Sequence, residues 1–167
     1  RSWQPGSEGT CSRSSIGRGD RVLVTGASGF LGSHLCQRLL HRGVEVHAVS
    51  RTLEGAPSEN PRWWKVDLED YAAVKNLFEQ VKPHVVFHLS GYATGDPDIR
   101  HVLPTFRSQL LTTVHVLTVS AEIGIRRIIL TGSLTEPQAG QIDNPPSSAY
   151  AASKWASSAF GRMFQRL

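Results

Sequence analysis

Residues 21–32 read R-V-L-V-T-G-A-S-G-F-L-G. Arg21 to Thr25 is a compact β-rich run, and Gly26 stops it. Gly26, Gly29 and Gly32 then fall three apart on a turn that must reverse tightly before a helical pattern begins at Phe30. Without side chains at those places, backbone N–H groups can approach a pyrophosphate at a helix N-terminus, where the dipole favours negative charge. The spacing departs from the common G-x-G-x-x-G, so that fingerprint is met only in part. A glycine-rich turn with no ligand is the competing reading. The strand before the turn and the helix after it favour the dinucleotide.

Working outward, short apolar runs alternate with helical patterns. Phe30 to Arg42 places Leu31, Leu35, Leu39 and Leu40 at helical spacing, and Gly43 closes the segment. Val44 to Val49 and Arg62 to Val66 are the second and third expected strands. Asp70 caps an expected helix to Val81, with Val74, Leu77, Phe78 and Val81 on one face and Pro83 ending it. His84 to Leu89 is a fourth strand. A long helix is expected from Thr105 to Ile123, with Phe106, Leu110, Val114, Leu117 and Ala121 along one stripe and Gly124 at its end. Arg126 to Thr131 is a fifth strand. A last helix starts near Ser148 and repeats apolar residues at Ala156, Phe160, Met163, Phe164 and Leu167. Strands that read as continuous apolar runs belong to a parallel sheet buried on both faces. The alternation specifies an α/β domain with a doubly wound parallel sheet of Rossmann type. In such sheets ligands bind outside the carboxyl ends of the strands.

At T-G-A-S-G-F-L-G the sequence resembles the extended short-chain dehydrogenases (the NAD-dependent epimerase/dehydratase-like group), whose T-G-x-x-G-F-x-G motif is matched at every fixed position. The resemblance covers nearly all of Asp20 to Leu167. It implies that Gly26, Ser28, Gly29, Phe30, Leu31 and Gly32 surround a dinucleotide. It also implies that Asp67, in V-D-L-E-D, bonds the adenine amine while Leu68 packs on the ring. Leu89, Ser90 and Gly91 stand where the group often has L-A-A, small residues against which the cofactor lies.

The end of the second strand bears on which dinucleotide is bound. NAD-preferring folds carry an acid there for the ribose 2′-OH. Here the strand ends V-H-A-V-S-R, and Ser50 with Arg51 suits a 2′-phosphate. The expected cofactor is NADP, with NAD or dual use left open and Arg51 as a solvated loop cation the plainer alternative.

Tyr150 and Lys154 form Y-A-A-S-K, four apart on one helix face. A free phenol titrates near pH 10, about three units too high for an efficient proton shuttle at neutral pH. A nearby cation favours the phenolate. Tyr150 can then exchange a proton with a carbonyl or alcohol oxygen while hydride moves to or from a nicotinamide. Lys154 can also bond the nicotinamide ribose. T-G-S-L-T after the fifth strand offers Ser133, which lines up with the hydroxyl that orients the substrate oxygen in the group; Thr131 and Thr135 are local rivals, and a turn-stabilising hydroxyl is the plainer alternative. Sugar 4,6-dehydratases of the group follow that hydroxyl with Asp-Glu, whereas Leu134 and Thr135 stand here. That argues against dehydration and leaves carbonyl reduction, alcohol oxidation, or epimerisation through a transient ketone. The group's Tyr-Gly after the serine loop is replaced by Glu136, Pro137 and Gln138, and Gln109 stands where Asn is frequent.

Composition bounds the rest. The 167 residues suffice for one domain, and 40% hydrophobic with 19% charged residues is ordinary for a soluble globular protein. Eighteen Lys and Arg against fourteen Asp and Glu give a net charge of +4, with no dense basic stripe for nucleic acid. No apolar run approaches the roughly 20 residues that span a bilayer. Cys11 and Cys36 do not make a disulfide scaffold, so the expected location is cytoplasmic. Seven histidines include no set at metal spacing, and no metal is expected. Residues 1–19 are expected to be a disordered tail and residues 20–167 an NAD(P)-binding domain that stops before the C-terminal strands and substrate region. The expected partner is a small molecule, a nucleotide sugar by resemblance, with neither nucleic acid nor membrane and with a homodimer open for a full-length protein. The alternative function is a dinucleotide-binding module without turnover.

Overall fold

The computed structural model describes residues 15–52, 60–136 and 145–167. Cys11, Pro137, Gln138 and most of the expected tail lie outside them. Five strands, β1 (Arg21–Thr25), β2 (Glu45–Ser50), β3 (Arg62–Lys65), β4 (Val85–His88) and β5 (Arg127–Leu130), form one sheet in the order β3-β2-β1-β4-β5. Every neighbouring pair is parallel. The expected strands are all present, with ends shifted by about one residue.

The strands read as apolar runs because both faces are covered. Leu23, Val49 and Val86 face one cluster, which α2 (Tyr71–Val81) fills with Val74, Leu77 and Phe78, and α4 (Thr112–Ile123) with Val116 and Val119. Val22, Val24, Val46, Ala48 and Val85 face the opposite cluster, with Cys36 and Leu39 of α1 (Phe30–His41). α5 (Ala149–Phe164) lies on the α4 side, its Gly161 close to Leu130. Ile16 also packs against the α1-side cluster, and the Gly17 N–H donates to Asp20, so ordered contacts begin before β1.

Two helices depart from the sequence pattern. The long helix begins a turn early, as a 3₁₀ turn (Ile99–His101) and α3 (Val102–Thr105), and passes through a π-helical turn (Phe106–Leu111) into α4. Its buried face is Thr105, Gln109, Thr112, Thr113, Val116, Leu117, Val119 and Ser120, whereas Phe106 and Ala121 of the expected stripe are exposed. The π turn adds a residue to the repeat, and polar side chains occupy the inward face, so hydrophobic spacing misplaced it. In α5 the buried residues are Ala151, Ser153, Lys154 and Ser157, and Met163 and Leu167 are exposed. Leu31, included in the α1 stripe, is exposed as well; Gly32, Cys36 and Leu39 form the buried line.

Strand order reverses between β1 and β4. Thr25 and His88 are register partners at the carboxyl ends of those strands, and a crevice opens above them.

Candidate active site

The turn after β1 is held by backbone. Gly26 has φ +65°, and a Cβ there would lie 2.8 Å from the Leu89 carbonyl carbon and the Ser90 nitrogen. Only glycine meets both demands. Gly29 caps α1 with no side-chain hydrogen bond of its own, so the cap residue takes up none of the first N–H groups of that helix. Ser90 and Leu89 are fixed from below, because both N–H groups donate to Thr25 Oγ1 at 3.3 and 3.2 Å.

Beneath them lies a buried polar chain. His88 Nδ1 is 2.8 Å from Thr25 Oγ1, and His88 Nε2 is 3.2 Å from Thr113 Oγ1. The Thr113 hydroxyl donates to the Gln109 carbonyl at 2.5 Å, so it accepts from His88 Nε2–H, which leaves Nδ1 as the acceptor nitrogen facing the Thr25 and Ser90 hydroxyls. Burial, helped by the charge of Lys154, pushes His88 down to about 3, which keeps the ring neutral. As expected from the sequence, His88 is a strand residue.

Above this floor is a cleft of about 580 Å³. Gly26, Ser28, Gly29, Ser50, Arg51, Asp67, Leu68, Leu89, Ser90 and Gly91 line it, and all ten were sequence candidates. Ser28 Oγ and Ser50 Oγ are 3.1 Å apart across the turn, and Arg51 beside them is exposed. Asp67 Oδ1 accepts from the Glu69 N–H at 3.0 Å, while Asp70 caps α2 through the Ala73 N–H at 3.1 Å. Leu68 is half core and half wall, its carbonyl held at 3.0 Å by His115 Nδ1. Phe30 and Leu31 stand exposed at the start of α1, and Gly32 lies buried under the turn. The sequence reading missed Val49, Thr52, Val66, Glu69, Ser108 and Thr112 as cleft residues. The last two reach it through the π turn, for which hydrophobic spacing gives no signal. A Cβ at Gly26 would press on the Leu89–Ser90 backbone across the cleft, and the turn, with only the small side chains of Ala27 and Ser28 between its glycines, fits a dinucleotide pyrophosphate.

The second candidate group lies at the end of β5. Lys154 is 8% exposed, and its Nζ donates to both the carbonyl and the hydroxyl of Thr131 at 3.0 Å. Nζ lies 5.9 Å from the centroid of the Tyr150 ring, so the pair shares a helix face. Burial holds Lys154 below the usual lysine range, and the Glu136 carboxylate offsets part of that. Ser133 Oγ is 2.8 Å from Thr135 Oγ1, and the Ser133 N–H donates to Glu136 Oε1 at 2.7 Å. Thr131, a rival for the serine's role, therefore anchors the lysine. Among the described residues there is no group of three or more His, Cys, Asp or Glu able to hold a metal, and no helix long and apolar enough to cross a membrane.

This chain belongs to the NAD dependent epimerase/dehydratase family, whose model matches residues 22–166. It is 34% identical over 133 residues to cinnamoyl-CoA reductase 2 of Medicago truncatula, a match covering 72% of this chain and 37% of that protein. It is 27% identical over 127 residues to UDP-glucose 4-epimerase 2 of Arabidopsis thaliana, covering 68% and 36%. The crystal structure of a Thermus thermophilus UDP-glucose 4-epimerase in complex with NAD matches with a TM-score of 0.75 and 26% identity, over 87% of this chain and 51% of that one. The chain thus spans about a third of these curated relatives and about half of the solved one.

Proposed function

We propose that this chain is the dinucleotide-binding part of an NADP-dependent oxidoreductase or epimerase that acts on a carbonyl or hydroxyl of a nucleotide-linked sugar. The observation that carries the cofactor assignment is the cleft at the β1/β4 reversal, with Ser28, Ser50 and Arg51 together at its rim and no acid at the end of β2. In this reading the glycine turn and the start of α1 hold the pyrophosphate. Ser50 and Arg51 hold the 2′-phosphate, Asp67 and Leu68 the adenine, and Leu89 to Gly91 form the floor. When bound, the nicotinamide supplies the site that takes or gives a hydride. Tyr150 donates or accepts the proton on the substrate oxygen, Ser133 orients that oxygen, and Lys154 bonds the ribose and favours the phenolate.

Calorimetric titration of the chain with NADPH and NADH, repeated on Arg51→Ala, tests the cofactor. NADPH is expected to bind more tightly, and the variant to lower its affinity to that for NADH. Equal affinities in the unaltered chain would refute the NADP assignment, and no binding of either would refute the dinucleotide site.

The higher identity to a cinnamoyl-CoA reductase than to the epimerases favours a second reading, reduction of a carbonyl outside the sugar class. Reduction consumes NADPH stoichiometrically, whereas epimerisation through a transient ketone returns the hydride. Absorbance at 340 nm in a full-length protein, with UDP-sugars and then aromatic acyl thioesters, separates the two. Tyr150→Phe is expected to remove turnover and to retain NADPH binding.

A further inference from the structure

In the turn that follows β5, every polar atom of Ser133 has a partner. Its N–H donates to Glu136 Oε1 at 2.7 Å, and the Glu136 N–H returns to its carbonyl at 3.3 Å. Thr135 engages the Ser133 side chain twice. Ser133 Oγ accepts the Thr135 N–H at 3.2 Å and lies 2.8 Å from Thr135 Oγ1. Leu134, between the two, is 99% exposed and leaves the pair of hydroxyls uncovered. A hydroxyl has one hydrogen and two lone pairs, and the 2.8 Å bond can run either way. If Ser133 donates, its hydrogen is consumed inside the turn, and the serine has no donor for a substrate oxygen. If Thr135 donates, Ser133 accepts twice and its own hydrogen is left for an outside acceptor. Accepting two bonds also polarises that O–H and strengthens it as a donor.

We infer that Thr135 is a positioning residue of the active site. Its N–H and its hydroxyl fill both lone pairs of Ser133 Oγ and leave the serine hydrogen as the donor to the substrate oxygen. The inference rests on the reading that Ser133 orients that oxygen. In the sequence Thr135 is a rival for the serine's place; in the structure it works through the serine.

The test is a double-mutant cycle of Ser133→Ala and Thr135→Val, with Thr135→Ser as the conservative variant. Valine keeps the shape and the N–H of Thr135 and removes only the hydroxyl. Turnover is followed in a full-length protein with cinnamoyl-CoA, as NADPH oxidation at 340 nm, and with UDP-glucose, as conversion to its 4-epimer. Thr135→Val is expected to lower kcat by about tenfold, the loss of one hydrogen bond, with KM little changed. Ser133→Ala should cost more, and the double variant no more than Ser133→Ala alone, because Thr135 acts only through the serine. Thr135→Ser should restore turnover. Additive losses, a larger loss in Thr135→Val than in Ser133→Ala, or no recovery with serine would each overturn the inference. So would weaker NADPH binding by Thr135→Val in calorimetry, since the threonine would then serve the cofactor or the fold. The turn itself is checked in this chain without any substrate. The Thr135 amide proton should move upfield in Ser133→Ala, and an unmoved resonance overturns the inference as well. Absence of turnover of both compounds by the unaltered protein is a separate failure, that of the proposed function, and the inference falls with it even where the amide moves.

Discussion

Gly32 packs against the carbonyl oxygen of Gly26 so closely that a Cβ at Gly32 would overlap it and lie 2.7 Å from the α-carbon of Ala27. Both neighbours are backbone, so no rotamer change relieves the contact. Alanine in a helix is favoured over glycine by about 1 kcal/mol, and overpacking typically costs about 1–3 kcal/mol. The overlap here is with main chain, which places the cost at the upper end. Gly32→Ala should therefore cost a net amount of about 1–2 kcal/mol of stability, read as a lower urea midpoint, and weaken NADPH binding, because the turn must open. Gly95→Ala, where nothing lies within 4 Å of the added carbon, is the control and should be neutral. Equal stability of the two variants would mean that the turn is not held by this contact.

His88 gives a pH dependence with a definite sign. Its ordinary value is 6.5, and burial pushes it to about 3 in the folded chain. Between those values the unfolded state holds the extra proton, so His88's contribution is complete above pH 6.5 and shrinks as the pH falls towards 3. His47, also lowered chiefly by burial, acts in the same direction. Urea midpoints measured between pH 5 and 6.5, above most carboxylate titrations, should fall with pH. His88→Asn should flatten that slope by one proton's contribution, whatever its effect on absolute stability. An unchanged slope would show that His88 is not the buried neutral group.

The sheet and α2 were legible because their residues obey one rule each. Val74, Leu77, Phe78 and Val81 are apolar at helical spacing and are all buried, and Asp70 caps the helix as its position implies. The cleft at the β1/β4 reversal was legible for a similar reason, since glycines after a first strand and small residues after a fourth mark where the backbone is left open. The long helix was not. Gln109 and Thr113 turn inward to satisfy Tyr92 and His88, so the buried face is polar from Thr105 to Thr113 and the apolar Phe106 is left outside. Hydrophobic periodicity records apolar burial and has no information on a buried hydrogen-bonded face. The contact of Glu136 with the Ser133 N–H escaped for a related reason, since sequence patterns do not show backbone donors.

Cys36 is a sharp probe of the α1 side of the core. It is 4% exposed among Val22, Leu39 and Val46, and burial pushes its thiol up to about 11. The thiolate is the reactive form. With Cys11→Ser leaving a single thiol, Ellman's reagent at pH 8 should react about a hundredfold or more slowly than with a free thiol, whose pKa is near 8.5. Urea should release one full equivalent. Rapid reaction in the native chain would mean that α1 does not stay packed on the sheet.

The V-D-L-E-D segment separates stability from binding within four residues. Asp70 Oδ1 accepts the Ala73 N–H at 3.1 Å and does nothing in the cleft, so Asp70→Ala removes an N-cap. The expected loss is about 1 kcal/mol of stability, read as a lower urea midpoint, with NADPH affinity unchanged. Asp67 lines the cleft, and one of its oxygens, Oδ1, bonds the Glu69 N–H. Among the described residues its other oxygen accepts no hydrogen bond, and in the proposed site it is the one that meets the adenine amine. Asp67→Asn keeps an acceptor for Glu69 and, with the amide oxygen committed there, turns a donor towards the adenine. NADPH and NADH should then weaken together, by about tenfold, which corresponds to about 1.4 kcal/mol and to one hydrogen bond to a charged group. Arg51→Ala, by contrast, should affect NADPH alone. If Asp67→Asn instead lowers stability and spares both affinities, the acid is a turn residue and the adenine lies elsewhere in the cleft.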